Sequence, residues 1–276
     1  MKENDVILKR QSTQIFFKNG DTDFFFNWLL GIGEIFGFSH GELYYLAQRL
    51  GKSPKPDDWK NVFLSHVNYL EQEASNSGLS EQTKAQYYLA QTYSLRSAIQ
   101  FTDPFSEEYL PTVRQMEKVF SSAIHSLGAP IEKLTIPYQG SYLPGYYLHS
   151  DDNCPTIIMI GGGDTYREDL FYFAGYPGWI RNYNVLMVDL PGQGSNPSRG
   201  LVFDVDASAP ISLCIDWLEN RNPKLNYLAI YGVSGGGYFT AQAVEKDPRI
   251  HAWIASTPIY DVAELFRKEF GSSLKA

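Results

Sequence analysis

The stretch Tyr227-Leu228-Ala229-Ile230-Tyr231-Gly232-Val233-Ser234-Gly235-Gly236-Gly237-Tyr238-Phe239-Thr240-Ala241-Gln242-Ala243-Val244 decides how this sequence is read. Its first five residues are an apolar, β-prone run, and Tyr238 to Val244 suits a helix. Between them stands Gly232-Val233-Ser234-Gly235-Gly236, a G-x-S-x-G pattern. At ordinary glycine and serine frequencies the pattern alone arises in roughly one chain in ten. Strand, tight turn and helix around it are much rarer. That context is what a serine nucleophile needs. Flanking glycines leave room for a strained turn that lifts Oγ above the sheet, and the helix start aims N–H groups at developing negative charge. The competing reading is a glycine-rich turn whose Ser234 merely caps the helix.

Working outward, Gly161-Gly162-Gly163-Asp164 follows directly on the apolar run Thr156–Ile160. In a hydrolase of this layout the loop after that strand supplies a second oxyanion N–H, and small residues let the backbone approach a substrate carbonyl. A phosphate-cradling dinucleotide loop is the rival. However, the spacing is not G-x-G-x-x-G, and the glycines follow the third strand rather than the first. Sequence leaves open which of Gly162 and Gly163 donates. Asp189-Leu190-Pro191-Gly192-Gln193-Gly194-Ser195 ends the next run. Asp189 comes early for a catalytic acid and reads as a loop-ordering residue. Asp164, Arg167, Glu168 and Asp169 read either as a solvated helix start or as groups facing substrate, with Asp164 the one leaning to function.

Two regions are expected, residues 1–130 helical and residues 131–276 α/β. Trp59, Val62, Phe63, His66, Val67 and Leu70 lie on one helical face, with Pro56-Asp57-Asp58 as its start. A second helix runs from Ser80 with a stripe from Ala85 to Ile99. A third begins near Ser106, kinks or restarts at Pro111 and stops at Gly128; a shorter one ends at Gly51. After Gly128, short β-rich runs (132–138, 145–149, 156–160, 185–189, 227–231 and 251–256) alternate with helical segments. Two of those runs are continuously apolar, as strands buried on both faces should be. The fold class is therefore α/β, with a mainly parallel sheet joined by right-handed crossovers.

Composition removes several functions. The 276 residues carry 23 Lys+Arg against 31 Asp+Glu, a formal charge of −8, and neither region is cationic. Nucleic acid is accordingly not an expected partner. Two cysteines, Cys154 and Cys214, make neither a disulfide framework nor a metal site, and no cofactor is implied. Met1 to Asp5 begins no secretory signal, and the longest greasy stretch, Phe24 to Phe38, is broken by Asn27 and Glu34. A cytoplasmic protein without a membrane partner is expected.

A nucleophilic serine needs a base, usually histidine, and an acid to orient it. After Ser234 stands a single histidine, His251, which opens the next strand and so belongs at the wrong end of the sheet. His40, His66 and His125 fall in the helical region, and His149 ends an early strand. Asp261 and Glu264 read as part of a later helix. Two strands of the usual sheet are missing from the sequence. Three explanations stand: truncation, which is preferred; completion by another polypeptide; and self-pairing as a homo-oligomer.

These motifs (161–169, 189–194 and 232–237, behind a helical region) resemble the α/β-hydrolases with an N-terminal helical cap. That group includes 2,6-dihydroxypseudooxynicotine hydrolase, the fungal polyketide-shortening hydrolases and the fermentation-respiration switch proteins. The resemblance implies an α/β-hydrolase core under a helical cap, Ser234 as nucleophile, and an oxyanion hole of Gly235 with Gly162 or Gly163. It also implies that Asp164 contacts substrate, at a position where the family has Glu. No residue here matches the family's Asp and His. The expected function is a serine hydrolase that splits an ester, or the carbon–carbon bond of a β-diketone or polyketide-like compound, through an acyl-enzyme. Its substrate is a small aromatic or acyl molecule. The alternative is a non-catalytic, hydrolase-like interaction or ligand-binding protein.

Overall fold

The computed structural model describes residues 14–36, 38–256, 259, 261–264 and 267. The chain divides into two compact units, Met1–Gly128 and Ala129–Ala276. Among the described residues no helix is long and apolar enough to cross a membrane.

The first unit holds five helices: α1 (Gly20–Phe36), α2 (His40–Leu50), α3 (Pro56–Ala74), α4 (Glu81–Ala98) and α5 (Tyr109–Leu127). Their starts follow local chemistry. The Asn19 side chain accepts from the N–H groups of Asp21 and Thr22 at the head of α1, Ser39 caps α2 and Ser80 caps α4. Pro56 opens α3, where its missing N–H costs nothing. Gly51, with φ +69°, ends α2, and the left-handed Gly128 ends α5. Two expectations need correction. The third predicted helix begins at Tyr109, because Ser106 is held in a turn on Asp103, and Pro111 sits in its first turn without kinking it. In α4 the buried residues are not a stripe: every residue from Leu89 to Ala98 is buried. The aromatic residues pack edge to face around Trp59, whose indole N–H donates to Ser97 O at 2.9 Å.

The second unit is built on β1 (Ile131–Tyr138), β2 (Ser141–Leu148), β3 (Thr156–Ile160), β4 (Asn184–Val188), β5 (Leu228–Val233) and β6 (Ala252–Ser256). They form one sheet in the order β1-β2-β4-β3-β5-β6. β1 and β2 pair antiparallel, as do β2 and β4, while β4, β3, β5 and β6 run parallel. β1 alternates buried and exposed residues, as an edge strand with one wet face does. β4 is buried throughout, as a central strand requires. The crossover from β3 to β4 holds α6 (Arg167–Leu170), a π-helical segment (Phe171–Gly175) and α7 (Tyr176–Trp179). Those from β4 to β5 and from β5 to β6 are α8 (Ser208–Arg221) and α9 (Gly235–Lys246). Ile158, Ile160, Leu186 and Val188 pack with Ile211, Cys214 and Ile215 of α8 to form the core on one face.

This order has a consequence for position. From β3 the chain leaves toward β4, and from β5 it leaves toward β6, on the opposite side. The connections diverge between β3 and β5, so a crevice is expected outside the carboxyl ends of those two strands.

Candidate active site

At that crevice, β5 passes into α9 through Ser234. Its backbone has φ 55° and ψ −125°, outside the conformations L-residues prefer. The turn is held open by glycine. A methyl group on Gly236 would lie 2.5 Å from Ile160 O and 2.6 Å from Gly161 O, so no larger residue fits there. The Ser234 N–H is tied to Ser256 O of β6 at 3.0 Å. Although Ser234 occupies the N-cap position of α9, its side chain makes no capping hydrogen bond. A capping serine takes an extended backbone and bonds the first turn; this one does neither, and it is exposed.

Register brings the glycine loop alongside. Ile160 pairs with Gly232, so the loop after β3 and the turn after β5 leave the sheet at one level. A methyl group on Gly162 would lie 2.7 Å from Ser234 Cβ and 3.1 Å from its Oγ. One on Gly235 would lie 3.5 Å from Gly163 N. Among the described residues the Gly163 N–H donates to no backbone carbonyl. Gly235 opens α9, where N–H groups lack partners within the helix. Ser234, Gly162, Gly163 and Gly235 are thus together. Asp164 follows in an exposed turn directly after Gly163.

The residues after Asp164 overturn the solvated-helix reading. Arg167, Glu168 and Asp169 are all buried, with Asp189. Arg167 Nη1 lies 3.2 Å from Asp189 Oδ2, Tyr146 OH donates to Glu168 Oε1 at 2.8 Å, and the Tyr166 N–H donates to Asp169 Oδ2 at 3.0 Å. Buried charge survives when it is paired in this way. Asp189 is a loop-ordering residue: its carboxylate meets Arg167, and its carbonyl and that of Leu190 accept from Asn196 Nδ2. Gln193 was not singled out from sequence, yet its side chain reaches Gly161 O and Gly162 O. Only the glycine-rich turn after a strand hinted at it, because its partners lie some thirty residues earlier in the chain.

No histidine of this unit reaches Ser234. The His251 N–H donates to Leu228 O and its Nδ1 accepts from the Leu228 N–H, at the amino-terminal end of β5. Six residues of strand separate that level from Ser234, about 20 Å. His149 follows Leu148, which pairs with Val185 near the start of β4, again at the far end, and contacts Asp152 at 3.0 Å. In the helical unit His66 is buried between Ser94 Oγ and Glu42 Oε1, each at 2.9 Å. Asp261 Oδ1 accepts from the Glu264 N–H at 2.7 Å, at the start of the helical residues 262–264. Among the described residues no group of three or more His, Cys, Asp or Glu side chains is placed to hold a metal ion.

No protein-family model matches the sequence. Curated relatives do. The hydrolyase ccsE of Aspergillus clavatus is 29% identical over 238 residues, covering 76% of this chain and 54% of that protein. The hydrolyase poxO of Penicillium oxalicum is 27% identical over 277 residues, covering 94% of this chain and 65% of that protein. The chain thus spans between half and two thirds of the length of these relatives. Among solved structures, 2,6-dihydroxy-pseudo-oxynicotine hydrolase superposes with a TM-score of 0.64 at 19% identity, over 80% of this chain and 62% of that one. Sheet order, elbow and these likenesses together give the chain the α/β-hydrolase fold, with a helical unit ahead of the sheet.

Proposed function

We propose that the chain carries the nucleophile half of a serine hydrolase site, with Ser234 as nucleophile and the N–H groups of Gly163 and Gly235, with Gly162 beside them, as the oxyanion hole. The observation that carries this reading is the strained, uncapped Ser234 at the β5–α9 turn, set against Gly162. Ser234 Oγ gives its proton to a base as it attacks a substrate carbonyl carbon, and the carbonyl π pair moves to oxygen, where the N–H donors hold the anion. Collapse re-forms the carbonyl and expels the leaving group, an alkoxide from an ester or a carbanion from a β-diketone, which takes up a proton. Water then attacks the acyl-enzyme, releasing the acid and restoring Ser234.

The base for these proton transfers is neither His149 nor His251. The curated relatives are longer than this chain, and a histidine from outside the described α/β unit is part of the proposal. Asp164 contacts the substrate, an aromatic or acyl compound, from its exposed turn. The name of the solved structure, 2,6-dihydroxy-pseudo-oxynicotine hydrolase, agrees with hydrolysis as the reaction class. Incubation with aromatic esters and with β-diketones, wild type beside Ser234→Ala, tests the reading. Turnover that disappears in the variant supports it; turnover unchanged by the variant overturns it.

A second reading, ligand binding without turnover, is favoured by the placement of both histidines of the unit at the far end of the sheet. Tight binding of a carbonyl compound with no product formed distinguishes it.

A further inference from the structure

Gln193 lies in the turn after β4 and is only 1% exposed. Every polar atom of its side chain is engaged. Oε1 accepts from the Leu190 N–H at 2.8 Å, which anchors the amide to its own turn. Nε2 donates to Gly161 O at 2.6 Å and to Gly162 O at 2.9 Å. These partners fix which way the amide points, because the reversed orientation would set an oxygen against two carbonyl oxygens and an NH2 against an N–H. Gly162 O also accepts from Thr165 Oγ1 at 3.1 Å.

Two successive carbonyls of the glycine loop therefore converge on one amide. A trans peptide is planar, with its N–H opposed to its C=O. The carbonyl of Gly161 belongs to the peptide that carries the Gly162 N–H, and the carbonyl of Gly162 to the peptide that carries the Gly163 N–H. Holding both carbonyls on Gln193 turns both N–H groups away from it. The Gly163 nitrogen lies against Gly235, and Gly162 lies against the Ser234 side chain. Glycines have the widest conformational freedom of any residue, so three in succession need an external restraint to keep one orientation. Gln193 provides it from a neighbouring strand's loop.

We propose that Gln193 is the positioning residue of the oxyanion hole, orienting the Gly161–Gly163 peptides so that their N–H groups face Ser234. It touches no reacting atom. The proposal rests on the reading of Ser234 as nucleophile, and its first test does not. In glycine-selective 15N spectra, Gln193→Met displaces the Gly162 and Gly163 amide resonances while those of Gly20 and Gly41 in the helical unit stay in place. In Gln193→Glu the same two resonances follow the new carboxyl. They lie closer to wild type when it is protonated and its single O–H can donate to one of the two carbonyls, and are displaced further when it ionises and repels both. Thr165→Val, which removes one donor from Gly162 O alone, shifts them less. In the wild-type chain the Gln193 side-chain NH2 protons exchange slowly with solvent, a reading that needs no variant.

The second readout is phosphonylation of Ser234 by a fluorophosphonate. The ionised Glu variant reacts about 100-fold more slowly than wild type, the scale of a lost oxyanion donor. Glycine resonances unmoved in both Gln193 variants, or rapid exchange of the Gln193 amide in wild type, overturn the proposal, as does phosphonylation of Ser234 that proceeds in wild type and at the same rate in the ionised Glu variant. A wild-type chain that is never phosphonylated at Ser234, with the glycine resonances displaced in the variants, supports the positioning by Gln193 and overturns the nucleophile reading alone.

Discussion

Two serines, one in each unit, stand in opposite settings. In the helical unit Ser94 is fully buried and bonded to His66, which contacts Glu42, so all the residue types of a catalytic triad meet there. Yet Ser94 sits mid-helix and donates to Ala90 O, and it has no route to a substrate. In the α/β unit Ser234 is exposed, meets no histidine of its own unit, and has a strained backbone beside loop N–H groups. Residue types make a triad only where geometry and access agree. The Ser94 cluster is a polar link that joins α2, α3 and α4; the Ser234 turn is the one we propose to hold the nucleophile.

This contrast is open to direct attack. Ser234→Ala has the largest expected effect, complete loss of fluorophosphonate labelling with an unchanged melting curve. Next comes Gly162→Ala, whose added methyl presses on Ser234 Cβ at 2.7 Å. It slows labelling by about 100-fold, as loss of one oxyanion donor would. In Ser94→Ala, labelling of Ser234 stays at the wild-type rate while urea denaturation shows a loss of about 1–3 kcal/mol, the cost of leaving buried partners unmatched. A labelling defect in this variant would break the comparison.

Two smaller effects test the frameworks. In the α/β unit, burial pushes the Cys214 thiol and the Tyr147 phenol each up to about 12, from ordinary values of 9.0 and 10.0. Both are acids whose folded value is raised, so folding favours their neutral forms. Their contribution is complete below pH 9 and is lost as pH rises from there toward 12. The urea midpoint of that unit is expected to be lower at pH 10.5 than at pH 8, and less so in Cys214→Ala. In the helical unit Gly128→Ala costs about 1 kcal/mol, because φ is +65° although no atom crowds the added methyl. Thermal denaturation reads that change.

The legible parts of the fold were those with clean periodicity. The run 156–160 is a strand over those same residues, and the faces of α3 and the ends at Gly51 and Gly128 were readable from spacing and glycine. The run read at 145–149 is the second half of β2 (Ser141–Leu148), which continues back through Pro144. The proline is tolerated where pairing with β4 ends, at Gly145 and Val188. α1 falls in the region read as helical but was given no bounds there, since its crowded aromatics blur the 3.6-residue period. The charged run at 167–169 was illegible in another way: its burial depends on Asp189 and Tyr146, partners some twenty residues away in sequence. For the site, Ser234 and the glycines were named from local pattern. The support that Gln193 gives them is a tertiary contact, and no local pattern encodes it.

The most direct test of the central claim is fluorophosphonate treatment of the folded chain, with the modified residue located by mass spectrometry. The account predicts one adduct, on Ser234, absent from Ser234→Ala and present in Ser94→Ala. A folded chain with no adduct, or with the adduct on another residue, would contradict it.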